Sequence, residues 1–204
     1  WPPRAIFRRT RSDIAVRRHD ISADRMGMIP QVESIDATLP APSSRWSMRP
    51  AGSDHAKFCK ELYVATRVNE VLSWGFLRAQ AEAFLGAQAA TRERAYAIQL
   101  PGAEDRILLA DGQPAGRLLF HETADACRIV DIAVLPTLRN QGLGRWAIAQ
   151  IIERAEKAQR IVSLNVERGN PARRLYERLG FRPSAPVDDG EPYVAMHRLP
   201  PMGR

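Results

Sequence analysis

Cysteine is nearly absent: Cys59 and Cys127 are the only two in 204 residues. Two thiols exclude a disulfide framework, and both lie in apolar or mixed runs where a small buried thiol belongs. Lysine is scarce as well, 3 residues against 27 arginines. No stretch of about 18 consecutive apolar residues occurs, so a spanning helix and a membrane partner are not expected. The start lacks an apolar segment followed by a small-residue cleavage site; no secretory signal is read there, and the cytoplasm is the expected location. No histidine or cysteine pair has metal-ligand spacing and no G-x-S-x-G is present, so metal and serine-hydrolase chemistry are set aside. Internal repeats are missing too.

What remains has the composition of a soluble globular protein, 45% hydrophobic and 26% charged. At ~100–200 residues per domain, this length implies one domain with an appendage. The net charge of +7 invites a nucleic-acid reading, so its location matters. Residues 1–50 hold nine arginines against five acids (Asp13, Asp20, Asp24, Glu33, Asp36), and the rest is close to balanced. The excess sits at the front, and a nucleic-acid partner is set aside. Residues 1–44 show no sustained period of 2 or 3.6 and are punctuated by Pro and Ser. They read as a basic, disordered leader, whose acids argue against a transit peptide. Residues 45–200 read as the folded domain.

Within that domain the pattern changes twice. A short strand at Trp46–Pro50 precedes a helix capped by Ser53 and running to about Thr66, with Phe58, Leu62 and Thr66 in register. A second helix spans about 77–91, its stripe formed by Leu77, Ala81, Phe84, Leu85 and Ala89. Strands are then expected at Ala95–Leu100, Arg106–Asp111, Ala115–Glu122 and Cys127–Leu135, forming an antiparallel meander. After Pro136 a loop leads to Gly142-Leu-Gly144 and a helix to about Gln159. The apolar strand Ile161–Val166 follows. The last helix has Asn170 as N-cap, Pro171 at its first position and Gly180 as a left-handed end. Strand–helix–strand implies a parallel pair joined by a right-handed crossover. A final strand at Tyr193–Arg198 closes the domain.

Gly142-Leu-Gly144-Arg-Trp-Ala147 formally matches the dinucleotide fingerprint G-x-G-x-x-A, with Glu167 placed as a ribose-binding acid. That fold runs its strand almost directly into the first glycine, whereas Pro136 and several loop residues intervene here. It also needs more strands than the 37 residues after Glu167 can supply. The alternative is a loop of backbone N–H groups entering a helix N-terminus. Gly142 and Gly144 let a phosphate approach the main chain, and Arg139 and Arg145 flank it.

Arg139-Asn-Gln-Gly-Leu-Gly144 resembles the R/Q-x-x-G-x-G/A acyl-CoA pyrophosphate loop of the GNAT N-acyltransferase superfamily. Asp131-Ile-Ala-Val-Leu-Pro136 looks like that family's fourth strand, and Asn170-Pro-Ala-Arg-Arg-Leu-Tyr-Glu-Arg-Leu-Gly-Phe181 like its closing motif. The resemblance runs from about Trp46 to Leu199 and is strongest over 127–181. It implies an α/β (α+β) fold: a mixed, mostly antiparallel central sheet with splayed parallel strands and flanking helices. It also implies an N-acetyltransferase moving an acetyl group from acetyl-CoA, as cosubstrate, directly to a primary amine of a small molecule or a protein. Such a protein is a monomer or homodimer and needs no metal. The rival reading is an acyl-CoA-binding sensor of the same fold without turnover.

By the resemblance, the backbone of Ile132, Ala133 and Val134 pairs with pantetheine. Arg139, Asn140, Gln141, Gly142, Leu143, Gly144 and Arg145 supply the pyrophosphate loop, and Asn170 contacts CoA. Asn170 stands six residues before Tyr176 rather than the family's usual seven, where Gly169 stands. Tyr176, also a fit for a core stripe, is implied as the acid that protonates the departing thiolate. A Glu that some ribosomal-protein acetyltransferases carry on the fifth strand aligns with Asn165, which cannot serve as a base; Asp131, Glu167 and His121 are the substitutes at hand. The acceptor site would involve residues 67–76, with Trp74, Phe76 and Glu70, and the end of the chain near Asp188, Asp189, Glu191 and Tyr193. Deleting residues 1–44 is expected to leave the melting temperature and activity nearly unchanged, because this segment has no apolar stripe to bury. A melting scan of the shortened protein checks this, and a large drop would refute it.

Overall fold

The computed structural model describes residues 45–186 and 190–201; the leader at 1–44 and the acids Asp188 and Asp189 lie outside them. Seven strands form one sheet: β1 (Trp46–Pro50), β2 (Glu104–Ala110), β3 (Gln113–Glu122), β4 (Ala126–Val134), β5 (Ile161–Glu167), β6 (Arg182–Pro183) and β7 (Tyr193–Arg198). Their order is β1-β2-β3-β4-β5-β7-β6. Every neighbouring pair is antiparallel except β4 with β5. The helices are α1 (Ala56–Ser73), α2 (Arg78–Gln99), α3 (Leu143–Lys157) and α4 (Arg173–Arg178). The mixed sheet with flanking helices is the expected fold.

Three local expectations need correction. Ala95–Leu100 is not a strand but the end of α2. Its alternation of small and large residues mimics a period of 2, yet the alanine-rich run has strong helix propensity. Tyr96 continues the buried stripe of Ala81, Leu85 and Ala89, while Ile98 points to solvent at 79% exposure. The first helix runs past Thr66 to Ser73, because Val68 and Val71 extend its buried face. Ser53 does not cap it: residues Ser53–His55 form a 3₁₀ turn, and the Gly52 N–H donates to His55 Nδ1 at 2.9 Å instead.

Two apolar clusters lie apart from each other. One unites α3 with the sheet through Leu108, Leu118, Phe120, Ile129, Leu143, Ile148, Ile151, Val162 and Leu164. The other is built from the facing stripes of α1 and α2, with Tyr63, Val71 and Leu85 at its centre. Each large aliphatic side chain buried this way contributes roughly 1.5–3 kcal/mol.

Gly116 governs how close β3 comes to β4. A Cβ built there would stand 2.5 Å from the carbonyl oxygen of Ala133. That oxygen is backbone and cannot swing away, so any side chain forces β4 outward. Gly116→Ala is expected to cost about 1–3 kcal/mol of stability. Urea denaturation checks the loss, and an unchanged midpoint would show that β4 yields freely.

Candidate functional site

The parallel pair stops early. Residues Ala126–Ile129 of β4 match Ile161–Leu164 of β5, and the pairing ends there. At this point β4 carries a bulge: Phe120 faces Ile129 and Leu119 faces Asp131, so Val130 has no opposite residue. A bulge bends its strand and sharpens the local twist. Beyond it Asp131–Val134 stay paired with Leu119–Gly116 on β3, whereas Asn165–Glu167 of β5 stay with β7. The two strands diverge in mid-sheet, leaving the β5 side of Ile132, Ala133 and Val134 without a partner strand among the described residues. An open strand edge can accept an extended ligand chain through main-chain hydrogen bonds. The side chains of Ile132 and Val134 pack against the α3 core.

The strand's exit forms a tight turn whose backbone N–H groups can face an anion. The Leu135 N–H donates to Ala115 O, and Pro136–Leu138 make a 3₁₀ turn. Asn140 (φ 60°) and Gly142 (φ 96°) are both left-handed, separated by Gln141. Left-handed residues alternating with ordinary ones gather successive N–H groups into a concavity. Gly142 occupies the N-cap of α3 without any side-chain cap, and the first turn of this 15-residue helix holds no acid. Its leading N–H groups therefore lack intrahelical acceptors and carry the positive end of the helix dipole.

Side chains around the turn divide into braces and open positions. Gln141 is a brace: it accepts from Arg45 Nη2 (2.8 Å) and donates to Thr137 O (3.1 Å). Leu143 is buried in the core, so only its backbone faces the turn. A Cβ on Gly142 would meet no atom within 4 Å, and one on Gly144 only Val134 Cγ2 at 3.9 Å. Both positions are open, and Gly142 is further required by its φ. Arg139 is exposed, its Nε donating to Val134 O at 3.4 Å, and Arg145 is exposed. Asn170 Oδ1 accepts from the Ala172 N–H at 2.9 Å, and its carbonyl from Arg173 N–H. The expected cap is therefore corrected: this contact closes a turn ahead of the helix, α4 begins at Arg173 with Ala172 as its N-cap, and Pro171 is not its first residue.

Tyr176 lies on the buried face of α4 at 7% exposure, edge-on to Phe181 with ring centroids 5.9 Å apart. Its hydroxyl has no hydrogen-bond partner among the described residues. Burial, helped by the negative charge of Asp131, pushes its pKa up to about 12. The phenol therefore keeps its proton throughout the neutral range.

The base candidates separate clearly. The Asn165 amide, oriented by its partners, accepts from Arg128 Nη2 (3.1 Å) and donates to Leu164 O (3.2 Å). Glu167 is exposed at the end of β5, opposite Tyr193. His121 stands opposite Arg128, on the paired half of β4 and away from the gap. Asp131 lies within the diverging half and is ion-paired with Arg92 at 3.0 Å. Of the acceptor candidates, Trp74 and Phe76 are exposed at the α1–α2 turn, where Phe76 meets Phe84. Among the described residues, no group of three or more His, Cys, Asp or Glu could hold a metal, and no helix is long and apolar enough to cross a membrane.

Sequence reasoning missed the charged cluster beneath the helices. Arg117, 4% exposed, is held by Glu93 (2.5 and 2.7 Å) and Asp105 (2.8 and 2.7 Å), and Arg92 by Asp131. The partners come from α2, β2, β3 and β4, and no local pattern links them.

The chain is similar to known proteins in sequence and in fold. The model of the Acetyltransferase (GNAT) family matches residues 74–181. The ribosomal protein bS18-alanine N-acetyltransferase of Haemophilus influenzae is 32% identical over 75 residues, 36% of this chain and 51% of that protein. The chain thus spans about half the length of this curated relative. The ribosomal-protein-S18-alanine N-acetyltransferase of Escherichia coli superposes with a TM-score of 0.53 at 19% identity, covering 78% of this chain and 96% of that one. PaiA N-acetyltransferase from Thermoplasma acidophilum, solved in complex with coenzyme A, gives 0.58 at 12% identity, covering 76% and 98%. These structural likenesses are in fold. The family match runs from the α1–α2 turn to Phe181 and so takes in β4, the turn, α3, β5 and α4. The chain belongs to the GNAT acetyltransferase family.

Proposed function

We propose that this protein transfers an acetyl group from acetyl-CoA directly to a primary amine, with residues 45–200 as the catalytic unit. The observation that carries the reading is the unpaired half of β4 running straight into the left-handed turn at α3. The open edge at Ile132–Val134 suits the amide-bearing pantetheine arm, and the turn at Asn140–Arg145 suits its pyrophosphate. Arg139 and Arg145 add positive charge, and Asn170 contributes the free amide nitrogen of its side chain. The relative's name puts the alanine amino terminus of a protein first among acceptors to try. The free thiols of Cys59 and Cys127 suit a reducing compartment, and we place the reaction in the cytoplasm.

In this reading the amine nitrogen bonds to the acetyl carbonyl carbon and the carbon–sulfur bond breaks. Tyr176 gives its hydroxyl proton to the departing thiolate. Its raised pKa suits that task, because a thiolate appearing in the same desolvated site also gains proton affinity. Asn165 is tied to Arg128 and offers no base, so the amine's proton leaves to water.

Coenzyme A is expected to raise the melting temperature, since it binds the native state alone. Gly142→Val forces a branched side chain into a left-handed conformation at a cost of about 1–3 kcal/mol. It is expected to weaken CoA binding at least ten-fold by calorimetry well below its melting temperature. Unchanged affinity in the folded variant would refute the site, and stabilisation by NAD in place of CoA would restore the dinucleotide reading.

Tyr176→Phe removes only the hydroxyl, so CoA still binds while turnover falls by roughly 10–10³-fold. Release of free thiol from acetyl-CoA measures this with an alanyl hexapeptide amide, a lysine peptide and putrescine as acceptors. The rising limb of rate against pH is expected to follow the basicity of each amine. Full activity in Tyr176→Phe would return this residue to a packing role. Tight CoA binding with no transfer to any amine would favour a sensor.

A further inference from the structure

We infer that Arg92 is a positioning residue, holding one oxygen of Asp131 so that the other receives the ammonium form of the incoming amine. This rests on the acetyl-transfer reading above and names the acceptor's first contact. Arg92 and Asp131 are mostly buried, at 17% and 19% exposure, and Arg92 Nη2 donates to Asp131 Oδ2 at 3.0 Å. The guanidinium lies over the ring of Tyr63 at 4.4 Å and that of Tyr96 at 5.4 Å. Tyr63 is itself fixed by donating its hydroxyl to Gln88 Oε1 at 3.2 Å. Arg92 Nε is buried with no acceptor, so ring faces and one carboxylate, rather than hydrogen bonds all round, hold this group. Its aim is therefore set by two aromatic planes from α1 and α2 and by Asp131 alone.

Asp131 Oδ1 carries no hydrogen bond among the described residues. It sits on the diverging half of β4, where its charge reaches Tyr176, and directly precedes the open edge at Ile132. The surrounding charge favours a cation. Arg92 and Arg117 face Asp131, Glu93 and Asp105, so three carboxylates stand against two guanidinium groups. Tyr96 and Tyr176, their pKa values both pushed up to about 12 chiefly by burial, keep their protons at neutral pH. A planar guanidinium can stack between rings while bonding a carboxylate edge-on; a lysine ammonium cannot.

The test uses the full chain and whichever amine of the panel is acetylated fastest, with its desamino analogue as a competing inhibitor. Asp131→Asn is expected to raise KM for the amine ~10–100-fold with a smaller change in kcat. Arg92→Met is expected to raise KM about ten-fold, with Arg92→Lys between it and the wild type. CoA affinity by calorimetry stays constant in all three, which a merely structural role would not predict. In the wild type, the desamino analogue binds at least ten-fold more weakly than the amine, a measurement that needs no variant to fold. An unchanged amine KM in folded Asp131→Asn, or equal binding of amine and desamino analogue, would overturn the inference while leaving acetyl transfer intact. Absence of transfer by the wild type to every amine would remove both.

Discussion

The divergence of β4 from β5 is the constraint on which the rest depends. A sheet interior normally satisfies every backbone group, and an unpaired buried polar group costs about 1–3 kcal/mol. This sheet gives up that pairing beyond Ile129 and Leu164, where each strand keeps only its outer neighbour. The bulge at Val130 turns β4 away, and Gly116 lets β3 follow closely enough to hold it. Core packing by Ile132 and Val134 fixes the strand from the side-chain direction.

Much of this was legible from sequence where the signals are local. The Pro136 and Gly142 punctuation and the apolar run Ile161–Val166 placed the parallel crossover correctly. The left-handed φ at Gly142 and Gly180 agrees with the glycines chosen there. Ala95–Leu100 misled because alternation over a few residues cannot be told from a helix stripe ending in one buried aromatic, Tyr96. The Arg92–Asp131 and Arg117–Glu93 pairs were illegible for a different reason. Their members are 39 and 24 positions apart, and their meeting depends on how α2 lies on the sheet.

Arginine's dominance over lysine takes on meaning in this setting. Arg92 stacks on two tyrosine rings, Arg154 lies 5.5 Å over Phe120, and Arg45 lies 4.5 Å over Trp46. Arg154, on α3, also joins Glu104 of β2 and Glu122 of β3. Such planar, bidentate and stacked contacts are ones lysine reproduces poorly. Cations here fasten helices to the sheet.

Arg45, just ahead of β1, is joined to the turn before α3. It bonds Gln141, pairs with Asp111 at 3.4 Å and stacks on Trp46, while Gln141 holds Thr137. The turn is thus clipped to the outermost strand of the sheet by the first described residue. Trimming the chain to begin at Trp46 instead of Arg45 would keep every strand and helix yet release that clip, leaving Gln141 braced from one side only. A fragment that keeps the turn braced from both sides must therefore include Arg45, one residue ahead of the first strand.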